Sequence, residues 1–234
     1  MSSPHRVGLH TRAPVRRRAN RRTRERKERE MTEMPDLELP ARRMALVLEG
    51  VADERLPAPT PCEGSTVGDL IHHVLGLSVA FRDAARKDLG PATRTDPSAS
   101  RPSAALLPAD WRAAVPRALD GLVAAWREPA AWEGTTQAGG VTLPAAVAGR
   151  VALNELLIHG WDIARATGQD YDCDEASLRV SVDLLSQSAD EAERAGVFGP
   201  VVEVPDGSPL LDRAVGLSGR EPSWNPGAAS GRLG

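Results

Sequence analysis

The chain has 234 residues, near the upper end for one domain and short for two full ones. Its 41% apolar content supports a sizeable core, while two cysteines, Cys62 and Cys173, exclude a disulfide-dense secreted scaffold and a four-cysteine zinc site. The net charge of −3 averages two unlike parts: residues 1–30 hold 11 Lys+Arg against 3 acids, and residues 31–234 hold 18 against 29.

The basic arm, residues 1–34, has few large apolar side chains and cannot offset its conformational entropy, so it is expected to be disordered. It is either a tail for nucleic acid or an anionic membrane, or a stretch ahead of a true start at Met31 or Met34; blocks of Arg without interleaved aromatics favour the second. Arg16, Arg17 and Arg18 are not followed by the apolar segment an export signal needs, and no apolar run approaches the roughly 20 residues of a membrane span. A cytoplasmic protein with no membrane partner and no nucleic acid is expected.

The first helix is predicted over Leu37–Val51, with Leu39, Met44, Leu46, Val47 and Val51 as its apolar stripe. The Pro-rich run Leu56–Pro61 breaks it. A second helix starts at Thr66, where Thr66 and Asp69 form a capping-box pattern, and runs to Lys87. After a loop over Gly90–Pro108, a third helix covers Asp110–Arg127, with Pro116 either kinking it or marking its first turn. Gly134–Pro144 reads as a loop, briefly extended at Thr135 and Thr136. The fourth helix runs from Pro144 to Thr167 and stops at Gly168; the fifth runs from Asp174 to Ala195. A short β-like run, Val201–Val204, precedes a Gly- and Pro-rich remainder read as tail. The expected fold is all-α, a four-helix bundle with a short irregular C-terminal extension, occupying residues 35–224, with 225–234 as a disordered tail.

Chemistry concentrates on three histidines. On a wheel of about 100° per residue with Val67 at zero, Leu70, Ile71, Val74, Leu77 and Phe81 gather near about 340°. His73 falls near about 240°, flanking that face, and His72 near about 140°, toward solvent. On the fourth helix Glu155 and His159 stand one turn apart on one face, joined by Asp162. That helix is apolar nearly all round, so its Glu and His are expected inside, where a carboxylate needs a partner or a cation. His73, Glu155 and His159 make a two-His, one-carboxylate set suited to an open zinc site, and equally to iron or nickel. The same spacing also fits a plain i,i+4 Glu–His contact beside a core histidine. Asp162 either orients His159 or pairs with Arg165; Arg165 could instead face an anionic substrate. Cys62 is either a reactive thiol near the site or a small packed residue.

Three stretches carry a family resemblance: Thr60-Pro61-Cys62-Glu63, Thr66 to Val74, and Glu155 to Gly168 with its His159-Gly-Trp-Asp162 core. They resemble the mycothiol-dependent maleylpyruvate isomerase N-terminal domain family, and more closely its metal-binding relatives in the DinB/YfiT-like superfamily. The likeness takes in Trp132, Gly140 to Pro144 and Gly219-Arg220-Glu221-Pro222-Ser223-Trp224, or about residues 37–224. It implies a DinB-like four-helix bundle holding a divalent metal, usually zinc, on His73, Glu155 and His159. It also implies mycothiol as a thiol cosubstrate that adds to a small electrophile. Two departures stand out. Ser65 replaces a Trp expected before Thr66, and the chain ends too soon after the bundle for the isomerase's C-terminal domain. The resemblance is therefore read as carrying over the bundle and the metal site, with a thiol-dependent transferase or isomerase as the expected activity. The alternative is a non-catalytic metal-binding stress or interaction module.

Overall fold

The computed structural model describes residues 34–95, 102–187 and 199–229. The chain divides into the units Met1–Met34 and Pro35–Gly234. Met34 aside, the basic arm lies outside the described residues. Helix α1 spans Glu38–Glu49. Its buried face is Leu37, Ala41, Met44, Leu48 and Val51, with Val47 beside it, a spacing of alternate fours and threes. The expected stripe is thus corrected at two positions: Leu39 and Leu46 point outward, 53% and 56% exposed.

Helix α2 spans Val67–Arg86, and Thr66 caps it through a complete capping box. The Asp69 N–H donates to Thr66 Oγ1 at 3.2 Å, and the Thr66 N–H donates to Asp69 Oδ2 at 2.8 Å. The shorter Asp therefore serves in place of Glu. Lys87 closes the helix in the left-handed region, with φ of 59°. The buried set Leu70, Ile71, Val74, Leu77 and Phe81 is the one the wheel selects. Within the segment after α2, Pro91–Arg94 forms one helical turn and Ala104–Leu106 a 3₁₀ turn.

Helix α3 spans Trp111–Trp126. Pro116 is its sixth residue, so it does not mark the first turn. The segment read as a loop over Gly134–Pro144 is instead a hairpin, β1 (Thr135–Ala138) paired antiparallel with β2 (Val141–Pro144). Ala138 faces Val141 across Gly139-Gly140, whose φ values of +57° and +78° are those a two-residue type I′ turn requires. Helix α4 spans Ala145–Thr167 and ends at Gly168, with φ of +74°.

Helix α5 spans Glu175–Gln187; its expected end near Ala195 lies outside the described residues. Val201–Val204 is not a strand. It lies along helix α6 (Leu210–Leu217), a helix in the stretch read as tail. Val202 donates its N–H to Gly216 O, and a Cβ on Gly216 would sit 2.5 Å from Val202 O, so only glycine allows this approach. Of the expected tail 225–234, Pro226–Ala229 forms one helical turn, and 230–234 lies outside the described residues.

The first four helices close a ring in which α1 and α2 each pack against α3 and α4. Helix α5 covers a further side of α4, and α6 packs on α5. This explains why 16 of the 23 residues of α4 are buried. The fold is the expected all-α bundle with one small hairpin added. Among the described residues no helix is long and apolar enough to cross a membrane.

Candidate metal centre

Helices α2 and α4 lie against each other and bring His73 opposite Glu155 and His159. His73 Nε2 lies 3.3 Å from Glu155 Oε2, and His159 Nε2 lies 3.1 Å from the same oxygen. The two imidazole rings meet edge to face, 4.9 Å between centroids. Burial is uneven: the side chain of His159 is 9% exposed, those of Glu155 and His73 20% and 26%. The three groups thus form a cluster with one partly exposed edge, on the flank where the wheel places His73.

The other side of His159 is dry. Its Nδ1 lies 3.0 Å from Asp162 Oδ2, and Asp162 has no exposed side-chain surface. Asp162 in turn accepts from Arg220 Nη2 at 3.1 Å and Nε at 3.4 Å. Arg220 donates through Nη1 to Ser218 O at 2.9 Å. Asp162 therefore orients His159 and does not pair with Arg165, which donates to the Trp224 carbonyl at 2.7 and 3.2 Å. Cys62 Sγ lies within 4.8 Å of a His159 ring nitrogen and an Asp162 oxygen, so the thiol is beside the cluster while also packing on the core.

His72 is not solvent-facing as the wheel implies. It is half-buried, and its Nδ1 accepts from the Ser103 N–H at 3.3 Å. The neighbouring Ala104 N–H donates to Asp69 Oδ1, so the 103–104 segment covers this side of α2. A wheel reports where a side chain leaves its helix and contains nothing about a loop that later folds over it.

The electrostatics follow from this crowding. Burial alone would raise the Glu155 carboxyl; hydrogen bonds and positive charge from His159 and His73 hold it well below the usual carboxylate range. Burial alone would lower His159; its bonds to the Asp162 and Glu155 carboxylates outweigh that and raise it to about 10. In the charged ring both nitrogens donate, whereas in the neutral ring the single hydrogen on Nδ1 goes to Asp162 and Nε2 presents a lone pair to Glu155 Oε2. Two acceptors at 3.1 Å need positive charge at or between them, supplied by protons or by a cation. Two imidazole nitrogens and one carboxylate oxygen, all within 4.8 Å of one another, suit a divalent cation of the zinc type.

A model of the mycothiol maleylpyruvate isomerase N-terminal domain matches residues 37–164, more than half the chain. The protein belongs to that family. His73, Glu155, His159 and Asp162 all fall inside the family stretch, and Arg220 falls beyond it. The chain is also similar to two uncharacterized proteins of Mycobacterium tuberculosis, from strains H37Rv and CDC 1551. Each is 30% identical over 188 residues, covering 80% of this chain and 91% of the relative. Among solved structures, the mycothiol-dependent maleylpyruvate isomerase shares the fold with a TM-score of 0.58 at 20% identity, over 83% of this chain and 89% of that one. A point mutant of that isomerase gives 0.54 at 22% identity, over 70% and 73%. The DinB-like fold class expected from the sequence is thus the observed one.

Sequence reasoning missed Arg220. Its neighbours Gly219 to Trp224 are visible as a family word, but nothing local ties it to a carboxylate 58 residues away.

Proposed function

We propose that this member of the mycothiol maleylpyruvate isomerase N-terminal domain family binds a divalent cation, zinc foremost, through His73, Glu155 and His159. It would use that cation in a thiol-dependent transfer or isomerisation with mycothiol as cosubstrate. The observation that carries the reading is the convergence of His73 Nε2 and His159 Nε2 on one oxygen of Glu155, at 3.3 and 3.1 Å. A bound divalent cation would lower the pKa of an incoming thiol and so supply a thiolate at neutral pH. The protein's own part is positional. Glu155 supplies negative charge, His73 brings a nitrogen from a second helix, and Asp162 sets the His159 ring. The exposed edges of His73 and Glu155 leave a side on which a small thiol or electrophile can approach. In this reading residues 35–224 carry the function, the arm has no part in it, and the protein works in the cytoplasm, where thiols stay reduced.

The test is elemental analysis of purified protein followed by turnover of electrophiles with and without mycothiol. Stoichiometric zinc and thiol-dependent turnover are expected; stoichiometric zinc without turnover across a broad panel would reject the catalytic half. A second reading, a closed metal-binding module without catalysis, is favoured by one feature, the closeness of Cys62 Sγ to His159. X-ray absorption separates the two, because a sulfur ligand at about 2.3 Å in the thiol-free protein marks a closed structural site.

A further inference from the structure

We infer that Arg220 is a positioning residue of the candidate metal centre, acting through Asp162 on His159, so that the segment after α6 completes the site from outside the family stretch. This rests on the metal reading above but is separable from it. The observations form a chain of contacts. Arg220 grips both oxygens of Asp162, Nε to Oδ1 at 3.4 Å and Nη2 to Oδ2 at 3.1 Å. That two-point geometry fixes the plane of the carboxylate, which a point charge would not do. The same Oδ2 faces His159 Nδ1 at 3.0 Å. The far side of the ring, Nε2, faces Glu155 at 3.1 Å.

Both members of the Arg–Asp pair are withdrawn from water, with 11% and 0% side-chain exposure. A buried Asp162 without Arg220 would lose the fork that fixes its carboxylate plane and be left an uncompensated charge, free to rotate toward other donors. That rotation loosens the Nδ1 hydrogen bond and lets the imidazole leave the orientation in which Nε2 points at Glu155. A ligand imidazole is held by the acceptor on its other nitrogen, and disturbing that acceptor weakens metal binding about 10- to 100-fold.

The arginine is itself placed by the fold. Its Nη1 donates to Ser218 O, and Ser218 is fully buried at the end of α6. At the other end of this segment the direction reverses: Arg165 of α4 donates twice to the Trp224 carbonyl, while its guanidinium lies 6.0 Å from the Trp161 ring centroid. Residues 218–224 are thus clamped to α4 at both ends, and of the two clamps only Arg220 bonds the carboxylate that faces His159.

The experiment compares the full-length wild type with Arg220→Gln, Arg220→Lys and Arg165→Gln. Zinc affinity is read against a competing chelator. The Nδ1–H resonance of His159 is followed by NMR in metal-free and zinc-loaded protein. Arg220→Gln is expected to weaken zinc about 10- to 100-fold and to speed exchange of that proton. Arg220→Lys should recover part of both, since it restores the charge without the fork. Arg165→Gln loosens the same segment at its other end and should leave both readouts near wild type. Wild-type zinc affinity and an unchanged His159 resonance in Arg220→Gln would overturn the inference. So would equal losses in Arg165→Gln, which would make the effect one of segment docking. A wild type that binds no zinc would sink the proposed function, while the His159 resonance would still decide the role of Arg220.

Discussion

Asp162 and His159, three residues apart on α4, are bonded Oδ2 to Nδ1 at 3.0 Å with the carboxylate wholly buried. One turn of helix therefore both supplies the imidazole and fixes which nitrogen faces the cluster. The consequences can be measured.

His73→Ala, Glu155→Ala and His159→Ala should each abolish tight zinc binding, and His72→Ala should keep it. Two remaining groups are too few for a stable tetrahedral site completed by water. His72 spends its Nδ1 on the Ser103 N–H and lies outside the cluster. Titration against a chelator decides; retention of zinc in His73→Ala with loss in His72→Ala would reverse the ligand assignment.

The metal-free protein should lose stability as pH rises from about 6.5. The His159 pKa is raised on folding to about 10. Its contribution is therefore complete below the unfolded value of about 6.5 and decays as pH climbs toward the folded one. Cys173, pushed up to about 12 by burial and the Asp174 charge, adds a similar loss only above its ordinary value of 9.0. The window from pH 6.5 to 9 thus belongs to His159. A fall in Tm of at least about 2 °C across it, in chelator, is expected, and zinc should remove most of that slope. A flat chelator profile would contradict the charged, carboxylate-bonded imidazole.

Alkylation should separate the two cysteines. Cys173 is held protonated, its pKa raised to about 12, so at pH 8 it should react at least about tenfold more slowly than in the unfolded chain. Peptide mapping after a timed iodoacetamide pulse should find Cys62 labelled first. Equal labelling would mean that the Cys173 environment opens in solution.

Thr66→Ala should cost about 1 kcal/mol, within the range of about 0.5–2 for a lost N-cap. In a chain of this size that lowers Tm by about 2–4 °C. Zinc affinity should stay within about twofold, because α2 is held along its length by Leu70, Ile71, Val74 and Leu77 in the core. A large loss of zinc affinity would show that the cap sets the register of His73.

Local sequence was enough for helices α1 to α4 and the start of α5, the capping box at Thr66, the stop at Gly168 and the inward flank of His73, but not for α6, which lies in the stretch read as tail. These are properties of short range: periodicity, cap chemistry and the angle at which a side chain leaves its helix act within one or two turns. It also placed Glu155, His159 and Asp162 on one face, because i, i+4 and i+7 positions coincide on any α-helix. The outward turn of Leu39 and Leu46 was not legible, since both faces of α1 carry apolar residues and only its neighbours α3 and α4 choose between them. The Gly139-Gly140 turn was legible in principle, but two four-residue strands give too few alternations to be seen against a loop. Tertiary structure alone decided the rest. Whether His73 reaches Glu155 depends on how α2 lies against α4, 82 residues apart in sequence. Whether Asp162 takes Arg165 or Arg220 depends on a segment that returns to α4 from beyond α6. Both are long-range contacts set by packing of whole elements, and no local preference of the residues involved contains them.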